Sequence, residues 1–167
     1  MDGLVLVDKA QGWTSHDVVA RCRRIFGQRR VGHGGTLDPP ATGLLLVGLG
    51  RVTRLLGYLA AAPKCYEAEV VLGVSTSTGD ATGEILATWD MAEVSLAQVR
   101  KAAEALTGEI LQVPPMVSAV KVGGRRLYEL ARTGVEVERA ARSVTVYRLD
   151  LHCTPEPGVF RMEVECS

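Results

Sequence analysis

Apolar and polar positions change period several times along the chain, and each change marks an element. Residues 3–7 form a short aliphatic run suited to a strand, with residues 8–12 as the loop after it. Thr14 with Asp17 three positions on is a capping-box pattern. It predicts a helix with Val18, Val19, Cys22, Ile25 and Phe26 on its buried face, Arg21, Arg23 and Arg24 off that face, and Gly27 as the stop. Residues 44–49 are all aliphatic apart from Gly48, as in a strand buried on both faces, and residues 52–62 have the composition of a helix closed by Pro63. In residues 66–74, Tyr66, Ala68, Val70, Leu72 and Val74 alternate with other residues, predicting a half-buried strand. A polar loop over residues 75–83 and a strand over residues 85–89 follow. Ser95 with Gln98 then caps a helix that stops at Gly108. Strands are expected at residues 110–113 and 118–122, the second running into the Gly123-Gly124 turn. One or two helical turns follow over residues 126–133, then two long strands at residues 143–153 and 159–166. Hairpins outnumber strand-helix-strand units, so the fold class is mixed α/β of the α+β kind: a mainly antiparallel sheet flanked by helices in one continuous domain over residues 1–167.

Composition narrows the class. With 167 residues, 47% hydrophobic and 23% charged, the chain has too many aliphatic side chains for a disordered polymer. Its apolar runs are too often broken by charge to span a bilayer as a helix, and no signal peptide is visible, so the expected location is cytoplasmic. Cys22, Cys65, Cys153 and Cys166 are scattered without a C-x-x-C pair, which argues against a zinc site or a disulfide framework and for small apolar filler. No metal site is expected on that ground.

A net charge of zero argues at first against a polyanionic partner. The charge is segregated, however. Residues 1–66 carry +5, residues 67–115 carry −6, residues 116–148 carry +4 and the remainder −3. Charges further apart than a Debye length of about 10 Å act nearly independently, so the two basic segments count separately from the total. They are either contact surfaces for a polyanion or solvated faces pointing in different directions.

The densest candidate for chemistry is residues 31–43, VGHGGTLDPPATG. Gly32, Gly34 and Gly35 allow unusual backbone angles and close approach, while Pro39 and Pro40 stiffen the second half of the loop. Asp38 is the one acidic residue between Asp17 and Glu67. A solitary carboxylate in such a loop suits nucleophilic or general-base work if a cation keeps it ionised, and equally suits an Asx turn beside Pro39. His33 is read either as a phosphate or base contact or as a local hydrogen-bond partner. Gly48-Leu49-Gly50 lacks the third glycine of a dinucleotide fingerprint and no phosphate-binding P-loop occurs, so a nucleotide-cofactor protein is a weak reading. No nucleophile elbow supports a hydrolase.

Residues 32–45, GHGGTLDPPATGLL, resemble the signature G-H-x-G-T-L-D-P-x-A-T-G-[VL]-L of the TruB family, the bacterial tRNA pseudouridine-55 synthases. Three further stretches similar to family motifs occur in the family's order: DKAQGWTS at residues 8–15, KCYEA at 64–68, and PPMVSAVK at 114–121 leading to GRRLYELAR at 124–132. The resemblance implies a pseudouridine-synthase-like fold with an RNA-gripping insertion over residues 116–142. It also implies isomerisation of uridine 55 in the T-arm loop of tRNA by a monomer. Asp38 falls on the catalytic aspartate, which attacks the target uridine or removes a proton from its ribose. Tyr66 falls on the tyrosine that packs against the flipped uracil, and His33 on a histidine that occupies space vacated by flipped nucleotides. Gly35, Thr36, Leu37 and Lys9 are the remaining substrate-binding candidates; Lys121, Arg125, Arg126 and Arg132 are candidates for RNA contact in the basic insertion.

The last strand runs to Ser167 without a turn or cap. Family members continue there with G-T-Y-I-R-x-L, whose arginine pairs with the catalytic aspartate, and then with a small C-terminal RNA-binding domain. The expectation is therefore an amino-terminal portion of the catalytic domain. An alternative is an RNA-binding or tRNA-chaperone module without the isomerase chemistry.

Overall fold

A computed structural model describes residues 1–118 and 120–167, apart from the side chains of Lys121 and Arg132. It contains two compact units, Met1–Ala62 and Pro63–Ser167.

In the first unit, β1 (Gly3–Lys9), α1 (Ser15–Ile25), β2 (Val31–His33), β3 (Gly43–Leu49) and α2 (Leu56–Ala60) form an antiparallel sheet of order β1-β3-β2 with helices on it. The α1 start is the one that the Thr14/Asp17 spacing predicts. The Asp17 backbone N–H donates to Thr14 Oγ1, and Thr14 N–H and Oγ1–H donate to Asp17 Oδ2. Val18, Val19 and Cys22 of α1 meet Val31, Leu45, Val47 and Leu49 of the sheet, with Val5, Val7, Phe26 and Leu37 packed around them. Burial pushes the Cys22 thiol pKa up. Ile25, expected on the same face, is 63% exposed: at about 100° per residue it falls on the margin of the face that Val18, Val19, Cys22 and Phe26 share. The run at residues 44–49 is central and buried on both faces only in its second half; Leu44 is exposed. Residues 52–62 divide into a 3-10 turn over Gly50–Arg54 and the short α2.

Three glycines of this unit, Gly32, Gly48 and Gly50, serve close packing. Gly32 pairs with Gly48 across β2 and β3, and a Cβ on Gly48 would lie 3.2 Å from Leu56 Cγ and Thr53 Cα. The bare strands thus let Leu56 seat directly on the sheet. Gly50 has φ +57°, and a Cβ there would fall 2.0 Å from Asp2 Oδ1. Gly50→Ala is therefore expected to destabilise the unit by about 1–3 kcal/mol, the cost of a left-handed non-glycine residue plus displacement of Asp2. Denaturant unfolding reads this; a change below half a kcal/mol would show that the Asp2 contact relaxes freely.

The second unit holds β4 (Lys64–Val71), β5 (Val74–Thr76), β6 (Ile85–Thr88), α3 (Leu96–Ala103), β7 (Gly108–Gln112), β8 (Lys121–Val122), β9 (Arg125–Arg126), α4 (Leu127–Arg132), β10 (Arg142–Cys153) and β11 (Val159–Cys166). Its main sheet is antiparallel, β4-β11-β10-β7, with β5-β6 and β8-β9 as separate hairpins. The Ser95/Gln98 capping box opens α3, and Arg100 of α3 donates to the Leu151 carbonyl of β10 at 2.8 and 3.2 Å. Leu127 and Leu130 bury α4.

The expected half-buried strand over residues 66–74 is corrected in two ways. Its pattern is broken at Gly73, which has φ +80° and whose Cβ would lie 2.3 Å from the Trp89 carbonyl oxygen, so the chain turns there. Its first part, β4, is an edge strand paired among the described residues with β11 alone, and most of its side chains are exposed on both faces. Cys65 and Cys153 are likewise exposed; only Cys22 is buried filler.

Within the loop between β5 and β6, Asp80 Oδ1 accepts from Thr78 Oγ1 and Thr82 Oγ1, each at 2.6 Å, and from the Thr82 N–H at 2.9 Å. The Thr78 and Thr82 hydroxyls, followed by the Thr82 amide, hold its carboxyl below the usual Asp range. A folded pKa below the unfolded one contributes stability above about pH 4, lost as the pH falls through the folded value. Asp80→Ala should thus lower the melting temperature at pH 7, with the gap to the parent closing as the solution is acidified below about pH 4. A gap independent of pH would place the effect elsewhere.

Candidate functional site

The loop between β2 and β3, residues 34–42, carries Asp38 and is fastened from three directions. Leu37 packs into the core beneath α1, and its N–H donates to Ser15 Oγ at 3.0 Å, with Ser15 itself buried at the start of α1. On the other side of Asp38, the Pro39 carbonyl accepts from the Gly12 N–H at 2.7 Å and from Lys9 Nζ at 3.4 Å. Between these anchors the Ala41 N–H donates to the Asp38 carbonyl at 3.0 Å, closing a turn. Asp38 is thus both exposed and immobilised through its backbone. Among the described residues its carboxylate forms no ion pair.

Lys9 has a different task from the ligand contact expected of it. It is fully buried, and Nζ donates to the carbonyls of Trp13 (2.8 Å), Ala10 (3.2 Å) and Pro39 (3.4 Å). Three acceptors use all three N–H donors of an ammonium, leaving none for RNA. The side chain ties the loop after β1 to the Asp38 loop.

The glycines of the motif also differ from expectation. Gly32, Gly34 and Gly35 all keep negative φ; the positive angles fall on Gly12, in the loop after β1, and on Gly43, where the motif enters β3. Gly34 is close to Leu46 and Leu56, whereas space around Gly35 is open. Thr36 is exposed beside it. His33 closes β2 with Nδ1 against the Gly35 carbonyl, and its ring meets His16 edge to face at 5.2 Å. His16 had no partner pattern in the sequence. Its only local signal is its place one residue after the buried Ser15, which puts it on the turn of α1 facing the motif loop.

Lys9, His33, Gly35, Thr36, Leu37 and Asp38 therefore gather around one loop of the first unit. The other candidates belong to the second. Tyr66 is on β4 opposite Val164, 40% exposed, beside an open depression of about 260 Å³ lined by Cys65, Glu67, Arg148 and Glu163. Glu163, one of the lining residues, pairs with Arg161, and that hydrogen bond holds the Glu163 carboxyl below its usual range. Arg125 and Arg126 form β9, and the Arg126 guanidinium lies 5.8 Å from the centre of the Tyr128 ring. Lys121 and Arg132 fall in β8 and α4, but their side chains lie outside the described residues. Among the described residues no group of three or more His, Cys, Asp or Glu side chains is placed to hold a metal ion, and no helix is long and apolar enough to cross a membrane.

Comparison with known proteins assigns the family. A family model for the TruB family pseudouridylate synthase (N terminal domain) matches residues 23–167. The tRNA pseudouridine synthase B of Arthrobacter sp. (strain FB24) is 51% identical over 172 residues, covering 100% of this chain and 56% of the relative. That of Thermobifida fusca (strain YX) is 60% identical over 146 residues, 87% of this chain and 50% of the relative. The chain thus spans about half the length of the curated relatives it matches. Among solved structures, a Cbf5-Nop10-Gar1 complex superposes with TM-score 0.65 at 31% identity, over 98% of this chain and 39% of that one. An H/ACA RNP bound to a substrate RNA containing 2'-deoxyuridine superposes with TM-score 0.61 at 27% identity, over 98% and 38%. With most of its length matched by the family model and the loop geometry in place, the chain belongs to the TruB pseudouridylate synthase family.

Proposed function

We propose that the protein containing this chain isomerises uridine 55 of the tRNA T-arm loop to pseudouridine, with Asp38 as the catalytic nucleophile or base. The observation that carries this reading is the exposed Asp38 carboxylate on a loop whose backbone is fixed on both sides of it. Such fixation suits a group that must meet a reacting atom without reorganising. The reaction breaks the bond from ribose C1′ to uracil N1 and makes one from C1′ to C5; the proton leaves C5 and N1 gains one, so substrate and product have the same atoms. The uracil must leave the loop stack to reach Asp38, which costs a few kcal/mol. In the second unit Tyr66 presents a part-exposed aromatic face on which a base can stack, and the β8–β9 hairpin offers Arg125 and Arg126 to the RNA backbone. In this reading the protein acts as a cytoplasmic monomer with no cofactor, and residues 116–142 are the RNA-gripping insertion of one catalytic domain.

The test is turnover. The full-length protein is incubated with an unmodified tRNA transcript, and pseudouridine is located by carbodiimide labelling and mass spectrometry. The expected product is a single pseudouridine at position 55. RNA bound without product would favour an RNA-binding or chaperone module, and product confined to another position would overturn the substrate assignment.

A further inference from the structure

The first unit is electrically polarised along its strands. Residues 1–62 hold four acidic side chains, and three of them, Asp8, Asp17 and Asp38, lie at the end where β1 pairs Lys9 with Gly43 and α1 begins. The opposite end, where Gly3 pairs with Leu49, gathers arginines. Arg23 Nη2 reaches the Val31 carbonyl at 3.2 Å, Arg29 and Arg30 lead into β2, and the Arg30 carbonyl accepts from Gly50 N–H at 2.8 Å, which places Arg51 beside them. All are exposed. Two of the four are held by neutral groups: Arg23 by a carbonyl and Arg30 Nε by Thr53 Oγ1 at 3.2 Å. Among the described residues of this unit only Arg51 meets a carboxylate, Asp2 at 3.8 Å.

Like charges held together with so little compensation oppose one another unless a polyanion neutralises them. Guanidinium groups fixed by neutral acceptors are oriented without losing charge, which suits phosphate. The two ends are separated by the length of β1, six residue steps, or about 20 Å. That is more than twice the Debye length of about 8 Å at physiological salt. The arginines therefore cannot serve as counter-charge to Asp38, and their contribution falls on RNA capture.

We propose that the arginine end, centred on Arg23, Arg29, Arg30 and Arg51, is a second contact surface for the RNA sugar-phosphate backbone, remote from the reacting nucleotide. The proposal rests on the RNA-modifying reading above and extends it. The test is binding of an unmodified tRNA transcript by the full-length protein over a range of salt concentrations, with steady-state turnover in parallel. Each lost phosphate contact flattens the slope of log Kd against log salt by about 0.7–0.9. The triple variant R29Q/R30Q/R51Q is expected to flatten it by about 2 and to weaken binding about tenfold at low salt, with kcat at saturating RNA unchanged. R29K/R30K/R51K, which keeps the charge, is expected to retain most of the parent slope. Should the Gln variant fold poorly, Arg29→Gln alone is expected to flatten the slope by about 0.9. An unchanged slope overturns the proposal, as does equal loss in the Lys and Gln variants, which would mark a structural role. Binding is read without turnover, so a parent that forms no pseudouridine defeats the functional reading, while normal turnover with the parent's salt slope kept in the Gln variant defeats this one alone.

Discussion

Asp38→Asn in the full-length protein is expected to reduce pseudouridine formation by about 10³-fold or more while leaving RNA affinity within about twofold of the parent. The size comes from the role: a nucleophile or base acts in the transition state, and the amide is neither at neutral pH. The selectivity comes from the structure. The bonds that fix the loop come from the Leu37 N–H, the Pro39 carbonyl and the Asp38 carbonyl, all backbone atoms that the substitution leaves in place. Asn has nearly the same shape, and at an exposed position the change in stability should stay within about 0.5 kcal/mol. The measurement pairs single-turnover pseudouridine formation with equilibrium binding of the same transcript. Product within tenfold of the parent rate would remove Asp38 from the chemistry. Loss of binding together with activity would make it a recognition residue.

What could be read from residues alone was what local rules govern. The Thr14/Asp17 and Ser95/Gln98 pairs placed the starts of α1 and α3 because a capping box is made by residues three apart. The Asp38 loop was legible through its concentration of glycine and proline, and the match of its neighbours to a known motif supplied its chemistry. Contacts between distant residues were not legible. Gly73 breaks the strand predicted over residues 66–74 because Trp89 lies against it, and nothing in the period of that segment announces Trp89. Residues 31–33 form β2, although their glycine content reads as loop, because β3 offers them a pairing edge. Gly32 and Gly34 are small for packing near Leu56, not for left-handed angles, a distinction that depends on where α2 lands. His16 likewise acquires a partner only when the β2 end and the start of α1 come together.

Lys9→Met is expected to cost about 2–4 kcal/mol of stability and to lower turnover far more than RNA affinity. Methionine can fill the volume of the lysine stem, so little of the loss should come from a cavity. The loss comes from the carbonyls of Ala10, Trp13 and Pro39, which surrender a charged donor, strongly at 2.8 Å and less so at 3.2 and 3.4 Å. Hydrogen bonds to charged groups contribute about 1.5–3 kcal/mol each, and the relief of no longer burying an ammonium offsets part of the sum. The Pro39 carbonyl is one residue from Asp38, so freeing it loosens the position of the carboxylate; a misplacement of about 1 Å can cost about 10²-fold in rate. A lysine that touched RNA would behave oppositely. Removing it would weaken binding, flatten the salt slope by about 1 and leave stability alone. Denaturant unfolding and salt-dependent binding of the same variant therefore decide between the buried strap that the structure shows and a substrate contact. A stable variant with a flattened salt slope would return Lys9 to the RNA interface.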